Sequence, residues 1–299
     1  MNGTRDGLVV LKGRALRMWR SVLTAVVLIP ILGTITASVT IIRWGIEPRH
    51  VWLAAGLYLI TALGVTAGYH RLFAHNSFAT STPTRLLLGV AGSMAVQGPI
   101  LGWVADHRLH HQHSDGPGDL HSPAFGRQPG LRGFCASLAH AQCGWFFTGW
   151  RASGRYANDL YRDSVIRFVD RNYVWWIGLS LASPGLIDWL IARDPFAAGQ
   201  AVLVAGFSRI FALQHVTWAV NSVGHSFGRR SFETVDHSRN NAVLGVLALG
   251  EGWHNNHHAV PHSARHGMTA WQLDVTWLLI RALEALGLAW DVQRPRTQQ

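Results

Sequence analysis

The chain contains four uncharged or nearly uncharged apolar segments, each long enough to cross a lipid bilayer. A membrane-spanning helix needs about 20 such residues. The predicted spans are residues 21–42, 51–69, 172–192 and 196–220. Only short polar connections separate the first from the second and the third from the fourth, so two helical hairpins are expected. With 48% hydrophobic and 14% charged residues, against about 25% charged in soluble domains, the sequence predicts an all-α integral membrane protein.

The distribution of basic residues predicts the orientation of the spans. Five basic residues precede the first span, against two in the short connection after it, and these five are Arg5, Lys12, Arg14, Arg17 and Arg20. By the positive-inside rule the N-terminus lies in the cytoplasm. Asp188 and Arg209 lie within the second hairpin and are expected to snorkel towards the membrane surfaces, with a cavity-lining role as the alternative for Arg209.

Residues 86–105 are also uncharged, and hydropathy alone would make them a fifth span. Their glycines and Pro99 suit a re-entrant or surface-lying segment better than a simple spanning helix. We therefore expect a single domain over residues 1–299, with four spans and a cytosolic helical cap made of residues 70–171 and 221–299. Both termini would lie on the cytoplasmic side of the inner (cytoplasmic) membrane.

Charge and cysteine content exclude several other classes of protein. The formal net charge of +10 fits cytoplasmic flanks that meet anionic lipid, and no nucleic-acid-binding motif is present, so no nucleic-acid partner is expected. The two cysteines, Cys135 and Cys143, form no CxxC pair. Neither a disulfide framework nor a thiolate metal site is predicted.

The pattern HxxHH occurs twice among the 17 histidines, as HRLHH at 107–111 and HNNHH at 254–258. Residues at i, i+3 and i+4 project from one face of a helix, so their imidazoles can converge on a metal. Histidines at the edge of the bilayer are the plainer alternative, but burying so many imidazoles without partners would be costly.

Three histidines and one asparagine outside the two boxes join the candidates. His70 and His75 are about 140° apart on an ideal helix, so they reach one site only if the helix ends or distorts between them. His225 follows the fourth span, and Asn221, one turn earlier, could hold a metal-bound water.

The number of candidate histidines predicts a dinuclear metal site with open positions for water or oxygen. Imidazole suits Zn, Cu, Fe and Ni, so ligand type leaves the element open. Metal-bound histidines are usually oriented by carboxylates. The acidic residues nearest in sequence are Asp106, Asp115, Asp236 and Glu251.

Four motifs together resemble the membrane-bound fatty acyl desaturases, most closely the acyl-CoA Δ9 desaturases of the stearoyl-CoA type. They are HRLFAH at 70–75, HRLHH at 107–111, NSVGH at 221–225 and GEGWHNNHH at 250–258. The resemblance implies four transmembrane helices under a cytosolic cap and two iron ions. The positions that match the family's iron ligands are His70, His75, His107, His110, His111, His225, His254, His257 and His258, with Asn221 binding through water.

By the same resemblance, the reaction is O2-dependent removal of two hydrogens from adjacent methylenes of a fatty acyl chain, giving a cis double bond. Electrons would come from a separate ferredoxin or cytochrome b5 type protein with its reductase. The expected substrate is a long-chain acyl-CoA, with an acyl-lipid as the alternative because Ala105 stands where animal acyl-CoA members have a basic residue. Three basic residues could meet CoA phosphates or lipid headgroups, namely Arg151, Arg155 and Arg162.

Two other functions compete with desaturation. A related diiron enzyme could hydroxylate a fatty acyl or hydrocarbon substrate, because the same oxidant can return oxygen to the substrate radical. A divalent-metal transporter could use the boxes as transient sites, but it should place ligands near the middle of its spans. Nearly all the histidines here fall outside the predicted spans.

Overall fold

Helices make up most of the regular structure in the computed structural model, which describes residues 7–124 and 128–295. They are α1 (Gly13–Trp44), α2 (Pro48–Ala74), α3 (Thr82–Ser93), α4 (Ile100–His113), α5 (Gly130–Gln142), α6 (Ser164–Arg171), α7 (Tyr173–Ala192), α8 (Pro195–Ser222), α9 (Ala242–Leu247), α10 (His254–Ala259) and α11 (Val275–Ala285). Short strands are β1 (Leu8–Val10), β2 (Ala79–Thr80), β3 (Trp150–Ala152) and β4 (Ala289–Trp290). Single 3₁₀ turns occupy Gly144–Phe147, Gly154–Ala157 and Leu160–Arg162.

Four helices are long and apolar enough to cross a membrane, namely α1, α2, α7 and α8. This number confirms the prediction, although α1 begins before residue 21 and α2 continues past residue 69. Helices α7 and α8 pack along each other, and a Cβ at Gly185 would lie 2.6 Å from the Val202 side chain. Helix α1 packs on α8 through Gly33 and Phe207. The pairing into two hairpins, the single domain and the side of the membrane stay predictions.

The extra hydrophobic segment at residues 86–105 forms two helices separated by a turn, in agreement with its glycine and proline content. The turn is held by side chains of α8, because Arg209 donates to the carbonyl of Met94 (3.2 Å) and Gln214 donates to that of Val96 (3.2 Å). Arg209 is buried, so the expectation that it snorkels is wrong. Its guanidinium instead satisfies carbonyl groups that an interrupted helix leaves open.

Asp188 is also buried rather than snorkelling. Its carboxylate accepts a hydrogen bond from Arg49 Nε at 2.6 Å and lies 3.1 Å from His50 Nε2. These two contacts join α7 to the start of α2. Removing Arg49 would leave the buried carboxylate of Asp188 with only the neighbouring His50, which is unfavourable.

The last part of α2, Gly64–Ala74, is a buried π-helix that packs closely against α3. A Cβ at Gly64 would lie 2.1 Å from the backbone nitrogen of Gly92, and a Cβ at Gly92 would lie 2.5 Å from the Tyr69 ring. These glycines permit the close approach of the two helices. The main apolar core lies here and includes residues of α4, α6 and α11.

The strands add two small antiparallel pairs to the predicted all-α fold. Strand β1 pairs with β3 and places Leu8 opposite Ala152, and β2 pairs with β4. The indole of Trp19 donates to the carbonyl of Phe146 at 3.0 Å, so the start of α1 is fixed to the turn before β3. Both cysteines are free.

Candidate metal centre

The nine predicted histidine ligands converge in two adjacent groups, and within each group the candidate ligand atoms lie within 4.8 Å of one another. The first group contains His70, His75, His107, His111 and His257. The second group contains His110, His225, His254 and His258. The groups adjoin, because the rings of His111 and His258 stack at 4.6 Å between centroids.

The π-helix of α2 explains how His70 and His75 reach the same group. A π-helix closes its hydrogen bonds at i→i+5, so residues five apart lie roughly one above the other. The backbone N–H of His75 donates to the carbonyl of His70 at 3.1 Å, and the two ring centroids are 4.8 Å apart. The helix distortion that the sequence required is therefore present.

Each HxxHH box contributes to both groups. On α4, His107 and His111 belong to the first group and His110 to the second. On α10, His257 belongs to the first group, and His254 and His258 belong to the second. Residues at i and i+4 share a group while the residue at i+3 turns to the other, so two helical boxes bridge the groups.

The ring nitrogens lie at separations that suit a shared metal ion. In the first group, the Nε2 atoms are 2.8 Å apart in the pair His75 and His107, and 2.9 Å apart in the pair His111 and His257. A divalent transition metal binds an imidazole nitrogen at about 2.1 Å, so two ligands at right angles lie about 3 Å apart. In the second group, His254 Nε2 lies 2.9 Å from that of His225 and 3.1 Å from that of His258.

Three of the four predicted carboxylates contact the outer nitrogens of these histidines. Glu251 accepts from His70 Nδ1 at 2.5 Å, Asp115 from His225 Nδ1 at 2.8 Å and Asp236 from His258 Nδ1 at 2.9 Å. The prediction for Asp106 is wrong. Its carboxylate accepts from the backbone N–H of Ala152 at 3.0 Å and pairs with Arg151 at 3.3 Å, because it projects towards β3.

Asp119 is a carboxylate that the sequence reasoning missed. It accepts from His110 Nδ1 at 2.9 Å and from the backbone N–H of Asp115 at 2.9 Å. It lies in the irregular segment after α4, where no periodicity relates one position to another, so no spacing signal could have identified it. Arg71 was also missed; it is fully buried and pairs with Glu251 at 2.9 Å and Asp274 at 2.9 Å.

The protonation pattern favours a cation between the rings. Because a carboxylate can only accept, the bonded Nδ1 atoms carry the protons and the matching Nε2 atoms present lone pairs. Burial, together with neighbouring histidines, lowers the pKa of His107, His111 and His254 well below the usual range, so these rings are neutral. The Nε2 atom of His254 lies next to the Nε2 atoms of His225 and His258. One proton on it could be donated to only one of these two lone pairs, whereas a metal ion could bind both.

The second histidine group has further features that suit a bound metal ion. The Nε2 atom of His110 is buried without a hydrogen-bond partner among the described residues. Burial alone would raise the pKa of Asp115, but its hydrogen bond with His225 lowers it to about 2. Burial would likewise raise the pKa of Asp119, and His110 lowers it below its usual value. The residues present therefore fit a pair of divalent metal ions.

A cavity of about 450 Å³ lies beside the histidines. Its polar end is lined by His70, His107, His254 and Asn221, and it continues between the spans along Leu23, Val26, Ala62 and Leu213. Such a volume is within the usual range for a small-molecule site, about 300–1,000 Å³. That Asn221 binds metal through water stays a prediction. Among the three predicted arginines, only Arg151 lines the cavity.

Two other histidines, His266 and His121, lie close to the two groups without belonging to them. His266 Nδ1 lies 3.3 Å from Glu251, and the ring of His121 lies 4.5 Å from that of His110. His121 also lines the cavity, and burial lowers its pKa to about 3. Neither residue has a spacing relation to the boxes that would have singled it out.

Comparison with known proteins agrees with this site. The sequence profile of the fatty acid desaturase family matches residues 49–292. The hex-5-enoyl-(acyl-carrier protein) acetylenase of Moorena producens is 39% identical over 271 residues, covering 89% of this chain and 84% of the relative. The sn-1 stearoyl-lipid 9-desaturase of Anabaena variabilis is 37% identical, covering 81% and 85%, respectively. An acyl-CoA 5-desaturase of Anemone leveillei is 38% identical, covering 82% and 72%.

Proposed function

Because the chain belongs to the fatty acid desaturase family, we propose that it uses O2 to introduce a cis double bond into a long-chain fatty acyl substrate at a diiron centre. The observation that carries this proposal is the convergence of nine histidines, four of them fixed by carboxylates, at the polar end of an apolar cavity. Per double bond, the acyl chain loses two hydrogens and O2 takes up these two hydrogens, two electrons and two protons to form two waters.

The proposed iron ligands are the two histidine groups, with Asn221 acting through a water. When bound, iron would supply the oxidation of an unactivated C–H bond, which has no acidic proton for a side-chain base to remove. The chain's own residues hold the imidazoles in place. Glu251, Asp115, Asp236 and Asp119 each fix one ring and its proton, and such partners are typically worth 10–100-fold in metal affinity or activity.

The cavity supports an acyl substrate because most of its lining is apolar. Val26, Ala62 and Leu213 line the part between the spans, whereas Trp103 lines the part next to the histidines. An extended methylene chain in this cavity would pass the rings of His70 and His107. Exclusion of water from this space would protect the reaction from side products.

The position of the double bond and the acyl carrier are proposed from the sequence. We retain Δ9 and the CoA thioester, with an acyl-lipid as the alternative carrier. The relatives named above differ in both respects, since they include a stearoyl-lipid 9-desaturase, an acyl-CoA 5-desaturase and a hex-5-enoyl-(acyl-carrier protein) acetylenase. We also propose that the site faces the cytoplasm and that the host membrane is the inner membrane.

Product analysis tests the function directly. The chain is expressed under air in cells that lack their own desaturase, and mass spectrometry locates any new double bond. We expect a new monounsaturated acyl chain that disappears in His254→Ala. The matched control is His140→Ala, which changes a histidine outside both groups whose one hydrogen bond within residues 7–124 and 128–295 is to the carbonyl of Leu120. A hydroxylated product would contradict desaturation, as would the absence of product with a competent electron donor.

A further inference from the structure

An exposed basic loop, residues 226–241, follows α8 and covers the second histidine group. Arg229, Arg230 and Val235 are exposed on its outer side. No acidic side chain among the described residues pairs with these arginines, and the guanidinium of Arg229 has no hydrogen-bond partner in that part of the chain. The loop therefore presents unneutralised positive charge next to a fully exposed apolar residue.

The inner side of the basic loop is bonded to the histidines. Asp236, which directly follows Val235, accepts from His258 Nδ1 at 2.9 Å. The backbone N–H of His237 donates to Asp115 at 2.7 Å, and Asp115 in turn accepts from His225 Nδ1 at 2.8 Å. The exposed Val235 is thus separated from the candidate metal ligand His258 only by Asp236 and one hydrogen bond.

The basic loop is distinct from the substrate side of the site. The residues that line the cavity include parts of α1, α2, α4, α8 and α10, but no residue of the basic loop, which is described throughout. Arg151, the basic residue on the cavity side, is already paired with Asp106. The exposed arginines of the basic loop are therefore separate from Arg151, the arginine that lines the cavity.

The charge of the basic loop indicates the chemistry of its partner. The loop carries three arginines, Arg229, Arg230 and Arg239, against two acidic residues, Glu233 and Asp236. Asp236 is buried and bonded to His258, and Glu233 forms no ion pair among the described residues, so the exposed side of the loop carries a net positive charge. A positive surface of this kind steers an acidic protein to its site and disfavours a basic one. Redox partners form small and weak interfaces, typically below about 1,200 Å² in total, so the docking surface can be small.

We propose that the outer surface of the basic loop docks an acidic one-electron carrier protein, which delivers the two electrons that each double bond requires. The inference rests on the proposed function, since only an O2-dependent reaction needs those electrons. Each encounter transfers one electron, so the carrier must bind and leave twice per turnover. The shortest bonded route from the docking surface runs from Val235 through Asp236 to His258.

The test uses Arg229→Glu/Arg230→Glu in the full-length chain, purified in detergent and loaded with iron. Product formation is measured with reduced ferredoxin and, in parallel, with cytochrome b5, each with NADPH and its reductase, and separately with dithionite. We expect the KM for the protein donor to rise about tenfold or more, while the dithionite-driven rate and the iron content stay unchanged. In the wild-type chain, the donor-driven rate should fall as salt screens the attraction.

Two matched variants separate charge from other effects. Arg229→Lys/Arg230→Lys keeps the charge and should keep a near wild-type KM for the donor. Arg281→Glu/Arg294→Glu makes the same change in net charge elsewhere, at two exposed arginines near Glu284, and should also leave that KM unchanged.

Three results would overturn the docking proposal. One is a donor KM and salt dependence in the loop variant equal to those of the wild type. The second is an equal loss with dithionite, which would mean that the loop acts on the metal site itself. The third is a loss seen only in vesicles containing anionic lipid, which would assign the arginines to lipid headgroups. If the wild-type chain makes no unsaturated product with any reductant, the proposed function fails instead.

Discussion

Asp119 illustrates how one side chain can hold two parts of the site together. Its carboxylate accepts from the ring of His110 and from the backbone N–H groups of Asp115 and His121. In Asp119→Asn, one of these donors meets an amide NH2 instead of an acceptor. We expect iron affinity to fall about 10–100-fold, measured as iron bound per chain across a series of chelator concentrations. Asp106→Asn changes a carboxylate that hydrogen-bonds to no histidine in the described part of the chain, and this variant should bind iron like the wild type.

At the residue scale, the histidines could be predicted because helical spacing relates them to one another, whereas their supporting carboxylates could not all be found. Glu251 lies just before the box at 254–258, and Asp236 lies in the loop that follows the fourth span. Asp119 approaches His110 only because the segment after α4 turns back. An equal loss of iron in Asp106→Asn and Asp119→Asn would mean that Asp119 has no specific role in holding the metal.

The contact between α2 and α3 depends on glycine at position 64. A Cβ there would lie 2.1 Å from the nitrogen of Gly92 and 2.3 Å from the carbonyl carbon of Ala91, and backbone atoms cannot rotate away. We expect Gly64→Ala to destabilise the fold by about 1–3 kcal/mol, seen as a lower melting temperature in detergent. Gly56→Ala is the matched control on the same helix, because its Cβ would meet nothing within 4 Å. Equal melting temperatures for the two variants would contradict the close packing.

At the element scale, hydropathy predicted the number of spans because length and apolar content decide which helices can cross a bilayer. It could not predict the π-helix of Gly64–Ala74, whose hydrogen bonds depend on packing against α3. The 140° separation of His70 and His75 on an ideal helix showed that some distortion was needed, but not which kind. Buried Arg209 was mispredicted because its carbonyl partners, such as Met94, belong to a different part of the chain.

At the scale of the whole molecule, the two histidine groups join segments that are distant in the sequence. The first group takes ligands from α2, α4 and α10, and the second from α4, α10 and the segment after α8. Without a metal, neutral imidazoles face one another with lone pairs that cannot all be satisfied. We therefore expect metal binding to stabilise the assembly of the spans with the histidine-bearing helices, rather than one helix alone.

Adding Fe²⁺ without oxygen to chelator-treated protein should raise the melting temperature in a concentration-dependent manner. Binding to the folded state alone contributes about 2.7 kcal/mol at a metal concentration 100 times the Kd. The shift should be much smaller in His254→Ala, because His254 Nε2 lies near the ligand atoms of both His225 and His258. His140→Ala should keep the full shift. Melting curves that are the same with and without metal, or a full shift in His254→Ala, would show that the two groups do not bind iron as proposed.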